Sequence, residues 1–261
     1  MGEQYPDAYW LKKPPIQLIN EKNPIKIYKT INIDNEKAWE ETGWGYGGHV
    51  CGLSISDDGE LLAGAAIVGS CFIWDATNYT LLQMLRDTEE KEIEEIYCVK
   101  FIDNDHKIIT CGKLKSRTTW SEEDNDNFCI PGHIKIYDVV TGEILLRMEG
   151  HQEEILSLKY FQFKNKNFLL TCGQDGRIIK WTIESDFKEY KKEFVNDLTT
   201  NYACSLSFIP NTANKFFLCG CDEGIKVFDI EHGQVGYFYL FFSLFFLSTN
   251  NFHFYFFFFY F

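Results

Sequence analysis

Four short runs of alternating apolar and polar residues recur along this chain at a nearly constant spacing, and that recurrence limits the fold more than any other feature. They are Leu53-Ser54-Ile55, Val99-Lys100-Phe101, Leu158-Lys159-Tyr160 and Leu206-Ser207-Phe208. Side chains on a strand point alternately to its two faces, so each run predicts a strand whose apolar side is buried against a neighbouring sheet. The intervals between first members are 46, 59 and 48 residues. An aromatic near the end of another apolar strand follows each run: Trp74, Tyr137, Trp181 and Phe228, at separations of 21, 38, 23 and 22 residues. One value is long in both series, which places an insertion in the second unit, over residues 113–131. A period in the mid-forties suits one small antiparallel sheet of four strands per unit.

Turn chemistry separates the strands. Gly173-Gln174-Asp175-Gly176 precedes the strand that ends in Trp181, and Asp222-Glu223-Gly224 precedes the one that ends in Phe228. Glycine accepts positive φ and aspartate bonds its own local backbone, so both read as hairpin turns. Asp138-Val139-Val140-Thr141-Gly142-Glu143 predicts a further turn after the aromatic, leading into a last strand at residues 144–148.

These motifs make the chain resemble the WD-repeat family. The Gly-His dipeptide of that family stands at Gly48-His49 and Gly150-His151, and its closing aromatic-Asp pair at Trp74-Asp75, Tyr137-Asp138 and Phe228-Asp229, with Trp181-Thr182 a degenerate copy. The resemblance implies an all-β fold: a WD-repeat β-propeller, present in part, with about four four-stranded antiparallel blades of an implied seven. Blades are expected over residues 25–234, after an extended Pro-rich segment at 1–24. Residues 25–33 would be the strand that completes the last blade of a ring. Four repeats imply an arc with two uncovered blade faces.

The resemblance also links His151, Asp175 and Trp181 in a hydrogen-bond network within the third blade. The serine or threonine that should join them is read as replaced by Cys172, which would weaken the network. In the first repeat, Ala66-Ile67-Val68-Gly69 supplies no aspartate to receive His49, and the second repeat lacks a Gly-His. His151 and Asp175 have the residue types of an acid–base pair, but a structural role is expected. No Gly-x-Ser-x-Gly elbow, phosphate-binding Gly-rich loop or His-Glu-x-x-His is present, so no enzyme and no cofactor are expected.

The nine cysteines include no Cys-x-x-Cys pair, and Cys219-x-Cys221 is the one close spacing, which argues against a zinc site. Buried thiols in a reducing compartment, together with a polar N-terminus lacking a signal-peptide core, predict a cytoplasmic or nuclear protein. The formal net charge of −13 argues against binding a nucleic-acid backbone or an anionic membrane, and favours basic protein or peptide partners.

Function is therefore expected to be that of a non-catalytic scaffold or adaptor that presents propeller rims to other macromolecules. The insertion, read as a solvated loop, is the candidate partner-binding segment, with Trp120 and Phe128 flanking Glu122, Glu123 and Asp124. Ser121 ahead of those acids fits an acidic-directed kinase site. Residues 235–261 form an aromatic tail with three readings: translated intron or mispredicted terminus, which comes first; a membrane tether; or genuine core. A tether would make the protein a membrane-anchored module. A ubiquitin-ligase substrate receptor is a further alternative, but the Arg such receptors often carry two positions after the Trp-Asp pair is replaced by Thr77, Val140, Glu184 and Glu231.

Overall fold

The computed structural model describes Ile31 and residues 49–163, 166–197, 202–209, 216–221, 224–230 and 233–238. The chain divides into two units, Met1–Asp34 and Asn35–Phe261, and the strands of the described residues lie in the second. The expected lead-in strand at 25–33, apart from Ile31, lies outside the described residues, as do Gly48, the Asp222-Glu223 turn and residues 239–261 of the tail.

Among the described residues every regular element is a strand, and the strands form four antiparallel sheets. The first sheet is β1 (Val50–Ile55), β2 (Leu61–Ala66), β3 (Ser70–Asp75) and β4 (Leu81–Arg86). The second is β5 (Ile93–Ile102), β6 (Lys107–Ser121), β8 (His133–Asp138) and β9 (Ile144–Glu149), with β7 (Asp126–Ile130) paired to β6 off that path. The third is β10 (Ile155–Phe163), β11 (Lys166–Gly173), β12 (Arg177–Ile183) and β13 (Tyr190–Asp197). The fourth is β14 (Ala203–Phe208), β15 (Phe216–Cys221), β16 (Gly224–Asp229) and β17 (Gly233–Phe238). The last strand runs past residue 234, where the sequence placed the end of the blades, so the first residues of the aromatic tail belong to the fourth blade.

The sheets are copies down to their irregularities. The first strand of each shifts register once, at Val50/Gly52, Ile96/Cys98, Ile155/Ser157 and Ala203/Ser205. The third strand of each shifts beside its landmark aromatic, at Ile73/Trp74, Ile136/Tyr137, Lys180/Trp181 and Val227/Phe228. Bulges of this kind twist a strand locally, and eight at matching places give four sheets of one shape. The aspartate after the aromatic caps the following turn. Asp75 Oδ1 accepts from the Thr77 amide at 2.7 Å, and Asp138 Oδ1 from the Val140 and Thr141 amides at 2.9 and 2.8 Å. Thr182 replaces that aspartate in the third sheet, yet the turn keeps the backbone closure of the other two, the Glu184 amide donating to the Glu189 carbonyl as Asp75 does to Thr80 and Asp138 to Glu143.

The core lies between sheets, in three layers. Ala63, Cys71 and Ile73 of the first meet Val99, Phe101 and Tyr137 of the second. Ile109, Ile136 and Met148 of the second meet Leu158, Leu169 and Trp181 of the third. Phe168, Leu170 and Cys172 of the third meet Leu206, Cys219 and Phe228 of the fourth. Burying each such large side chain contributes about 1.5–3 kcal/mol.

Leu53, Val99, Leu158 and Leu206 occupy one register position, opposite Gly64, Thr110, Thr171 and Cys219. The last three are buried as expected, but Leu53 is 68% exposed and Ile55 60%, while Ser54 is buried and accepts the Phe101 amide at 3.2 Å. The expectation of a buried Leu53-Ile55 face is therefore corrected. In the other three sheets this position faces the preceding sheet, and no described sheet precedes the first.

Candidate docking hairpin and the polar centres of the second and third blades

The insertion is a β-hairpin, not the solvated loop expected from its polarity. Inside the blade, β6 pairs with β8 only as far as Cys111↔Ile134. Beyond that it continues along β5 to Ile93↔Lys115 and takes β7 as its other neighbour, through Leu114↔Ile130 and Trp120↔Asn127. A bend at Ser116 breaks the register: its hydroxyl accepts from the Thr118 and Thr119 amides at 3.3 and 3.1 Å, and its carbonyl accepts from Asn127 Nδ2 at 2.9 Å. Polar residues thus satisfy the backbone within the hairpin, so its strands needed no apolar periodicity to form.

Charged contacts hold its base. Lys115 Nζ lies 2.7 Å from Glu95 Oε1 and 3.1 Å from Asp126 Oδ1, and Lys113 pairs with Glu154 of the third blade's lead-in. The Arg117 amide donates to Glu92 Oε2 at 2.7 Å, and its Nε to the Lys91 carbonyl at 2.8 Å. Burial opposes ionisation of Asp126, but the Asn127 amide and the Lys115 ammonium outweigh it and hold the carboxyl below the ordinary range.

All five residues singled out from the sequence lie on the outer part of the hairpin. Trp120 is 44% exposed and Phe128 53%, and Glu122, Glu123 and Asp124 are exposed in the turn. Ser121 Oγ donates to Asp124 Oδ2 at 2.8 Å and accepts from the Asp124 amide at 3.3 Å, while Asn125 takes the left-handed region at φ 51°. Among the described residues no cation pairs with Glu122, Glu123 or Asp124. Trp120 is paired directly with Asn127, so Phe128, one residue further on, faces the other side of the hairpin.

His151, Asp175 and Trp181 also come together, through a residue the sequence reading passed over. Trp181 Nε1 donates to Thr171 Oγ1 at 2.9 Å, and Thr171 Oγ1 lies 2.8 Å from His151 Nε2. His151 Nδ1 lies 3.0 Å from Asp175 Oδ1, whose carboxylate also takes the Gln152 and Arg177 amides at 2.9 and 3.1 Å. The missing hydroxyl is thus Thr171, and Cys172 does not weaken the network. Neighbours on a strand face opposite ways: Thr171 faces Trp181 and the second blade, Cys172 the fourth. Gly150 is required beside it, because a Cβ there would sit 2.6 Å from Trp181 Cη2.

The hydrogen bonds fix the proton positions. With Asp175 accepting, His151 carries its proton on Nδ1, and the Thr171 hydroxyl donates to Nε2 while it accepts from the indole. Burial works against Asp175 ionising, but the His151 contact and two backbone amides outweigh it and hold the carboxyl below its usual range. Both imidazole nitrogens are committed to partners within a buried site.

The second blade fills the same place differently, which the sequence did not disclose. Thr110↔Lys135 is the counterpart of Thr171↔Ile179. Lys135 is fully buried, with Nζ 3.0 Å from Asp87 Oδ2, 2.9 Å from Glu94 Oε1 and 3.3 Å from Glu90 Oε2. Arg147 grips Asp87 with two nitrogens, at 2.9 and 3.1 Å. Burial resists the charge on Asp87, yet the Arg147 and Lys135 contacts win and hold its carboxyl well below the usual range. For Glu94 burial wins over Lys135, and the carboxyl is raised. Burial also lowers Lys135, but Glu94 and Asp87 reverse that and raise it. The available signal was a lysine two residues before the aromatic, where Trp74 and Trp181 have Phe72 and Ile179.

Residues 142–182, which contain the whole His151 network, match the family described as WD domain, G-beta repeat. Protein DSE1 of Debaryomyces hansenii is 34% identical over 77 residues, 28% of this chain and 11% of that protein. The WD repeat-containing protein 91 homolog of Dictyostelium discoideum is 32% identical over 119 residues, 41% of this chain and 15% of that protein. The Denticleless protein homolog A of Xenopus laevis is 21% identical over 176 residues, 67% of this chain and 22% of that protein. The chain thus spans less than a quarter of the length of each of these relatives. Among solved structures, the computationally designed Ika4 protein aligns with a TM-score of 0.50 at 19% identity, over 71% of this chain and 94% of its own. The family match over the third blade, the four sheets of matching register and the relatives together support a WD-repeat family for this chain.

Proposed function

We propose that this protein is a non-catalytic scaffold whose hairpin at 113–131 docks a basic segment of a protein partner. WD repeats generally mediate protein–protein interaction, and one observation supports the specific reading: Trp120 and Phe128 stand exposed, one on each face of a hairpin whose turn carries Glu122, Glu123 and Asp124 and which Lys115 and Lys113 pin to the blade. The pinning matters because a surface held in place loses less entropy on binding than a free loop. A structural His151 supports the non-catalytic reading. A cytoplasmic or nuclear location belongs to the same proposal, supported by Cys51, Cys71, Cys98, Cys111, Cys129, Cys172, Cys204 and Cys219 all being free thiols.

The test is titration of a labelled Lys/Arg-rich peptide with a central leucine, read by fluorescence anisotropy. Trp120→Ala with Phe128→Ala should weaken binding at least tenfold, and Glu122→Gln, Glu123→Gln and Asp124→Asn together should remove most of its salt dependence. Equal binding by all three chains would overturn the docking role.

A further inference from the structure

Neither the blade packing nor the docking surface uses the hydroxyl at the hairpin tip. Ser121 is the one serine or threonine in the chain with three acidic residues directly after it, Glu122, Glu123 and Asp124. It ends β6 at the turn, half-buried, with the acids exposed beyond it. Thr119 is exposed and has Glu122 three residues on, but Trp120 and Ser121 stand where Ser121 itself has its first two acids. Ser54 and Ser56 precede Asp57 and Asp58 but are buried at 7% and 4%, and Ser56 Oγ is engaged by Asp58 and the Leu61 amide. Thr88 is followed by Glu89 and Glu90, but then by the cation Lys91.

We propose that Ser121 is a phosphorylation site for an acidic-directed protein kinase, and that its phosphate tightens the hairpin's hold on a basic partner. The second half rests on the docking role above. A kinase of that class presents Lys and Arg to the substrate's downstream carboxylates, and the tip supplies three in a row. In the transfer, Ser121 Oγ bonds to the γ-phosphorus of ATP, and the bond from that phosphorus to the β–γ bridging oxygen breaks. ADP leaves with the electron pair, and the hydroxyl proton passes to the kinase's base. The product has no proton to donate to Asp124 Oδ2. A charge of about −1.5 to −2 then sits against Asp124, so the Ser121–Asp124 contact opens and the tip's negative field deepens.

The full chain is incubated with ATP and casein kinase 2, and phosphate is mapped by mass spectrometry. Labelling at Ser121 is expected, with none at that position in Ser121→Ala. Glu122→Gln, Glu123→Gln and Asp124→Asn together should slow it on the order of tenfold, since those charges guide the kinase while the amide introduced by Asp124→Asn can still accept the Ser121 hydroxyl. No phosphate on Ser121 of the folded chain, or an unchanged rate in the triple variant, overturns the site. The phosphorylated chain should bind the Lys/Arg peptide several-fold more tightly at low salt, and equal or weaker binding overturns the second half. If the unmodified chain does not bind the peptide at all, the docking role fails while the mass measurement still decides the site.

Discussion

The second and third blades place the same strands in the same register, yet they secure the slot between the second and third strands by different chemistry. In the third, a largely neutral chain runs from Trp181 through Thr171 and His151 to Asp175. In the second, Lys135 stands where Ile179 would be, and pairs with Asp87 and Glu90 of the preceding connection and Glu94 of β5. The comparison teaches that the repeat specifies a position, not a set of atoms. The charges of the second slot are paired, while its Thr110 hydroxyl and Tyr137 phenol, the counterparts of Thr171 and Trp181, are buried without a hydrogen-bond partner among the described residues. The ionic version is the more brittle, because removing one member leaves charge without compensation.

The sharpest way to break the comparison is to empty each centre. Lys135→Ala should cost about 3–5 kcal/mol in urea unfolding, since three carboxylates then share a buried site without their ammonium. If it costs less than Thr171→Val, the ranking of the two centres is wrong. Thr171→Val should cost about 1–3 kcal/mol by orphaning the Trp181 indole and His151 Nε2, and Thr171→Ser should restore most of it. Acid should affect both centres with the same sign. The Asp87 and Asp175 carboxyls are held below their usual values, so the stability they contribute is present above about pH 4 and is lost as pH falls through their folded values. Glu94 has the opposite sign: its raised carboxyl contributes below about pH 4 and that contribution is lost as pH rises through its folded value. Asp87→Asn should therefore destabilise at pH 7 by more than Glu94→Gln, and the gap should narrow towards acid in unfolding measured across pH. Cys172→Ala should have the smallest effect, about 1 kcal/mol from lost packing against the fourth blade. It should leave the Trp181 indole N–H unmoved in NMR spectra, whereas Thr171→Val shifts it.

Much of the fold was legible because it is written locally. The alternating runs, the landmark aromatics and the Asp-capped turns each need only a few neighbouring residues, and the structure places all four units in one register. What was missed depends on partners remote in sequence. Thr171 and Cys172 differ by one step on a strand, and only pairing with Leu158 and Ile179 decides which faces Trp181. Leu53 and Leu158 sit in the same motif, yet one is exposed because burial belongs to the adjacent sheet and not to the strand. The Lys135 centre takes its carboxylates, Asp87, Glu90 and Glu94, from more than forty residues upstream. The five residues proposed for docking were singled out from composition, while the hairpin that carries them was hidden because polar side chains supply its register.

The measurement closest to the central claim is the tautomer of His151, read from its ring nitrogens by NMR alongside hydrogen exchange of the Trp181 indole. A structural network predicts the proton on Nδ1, an unprotonated Nε2 that accepts from Thr171, and an indole N–H that exchanges far more slowly than that of Trp120. A proton on Nε2, or an indole at position 181 that exchanges as fast as the exposed one, would contradict it.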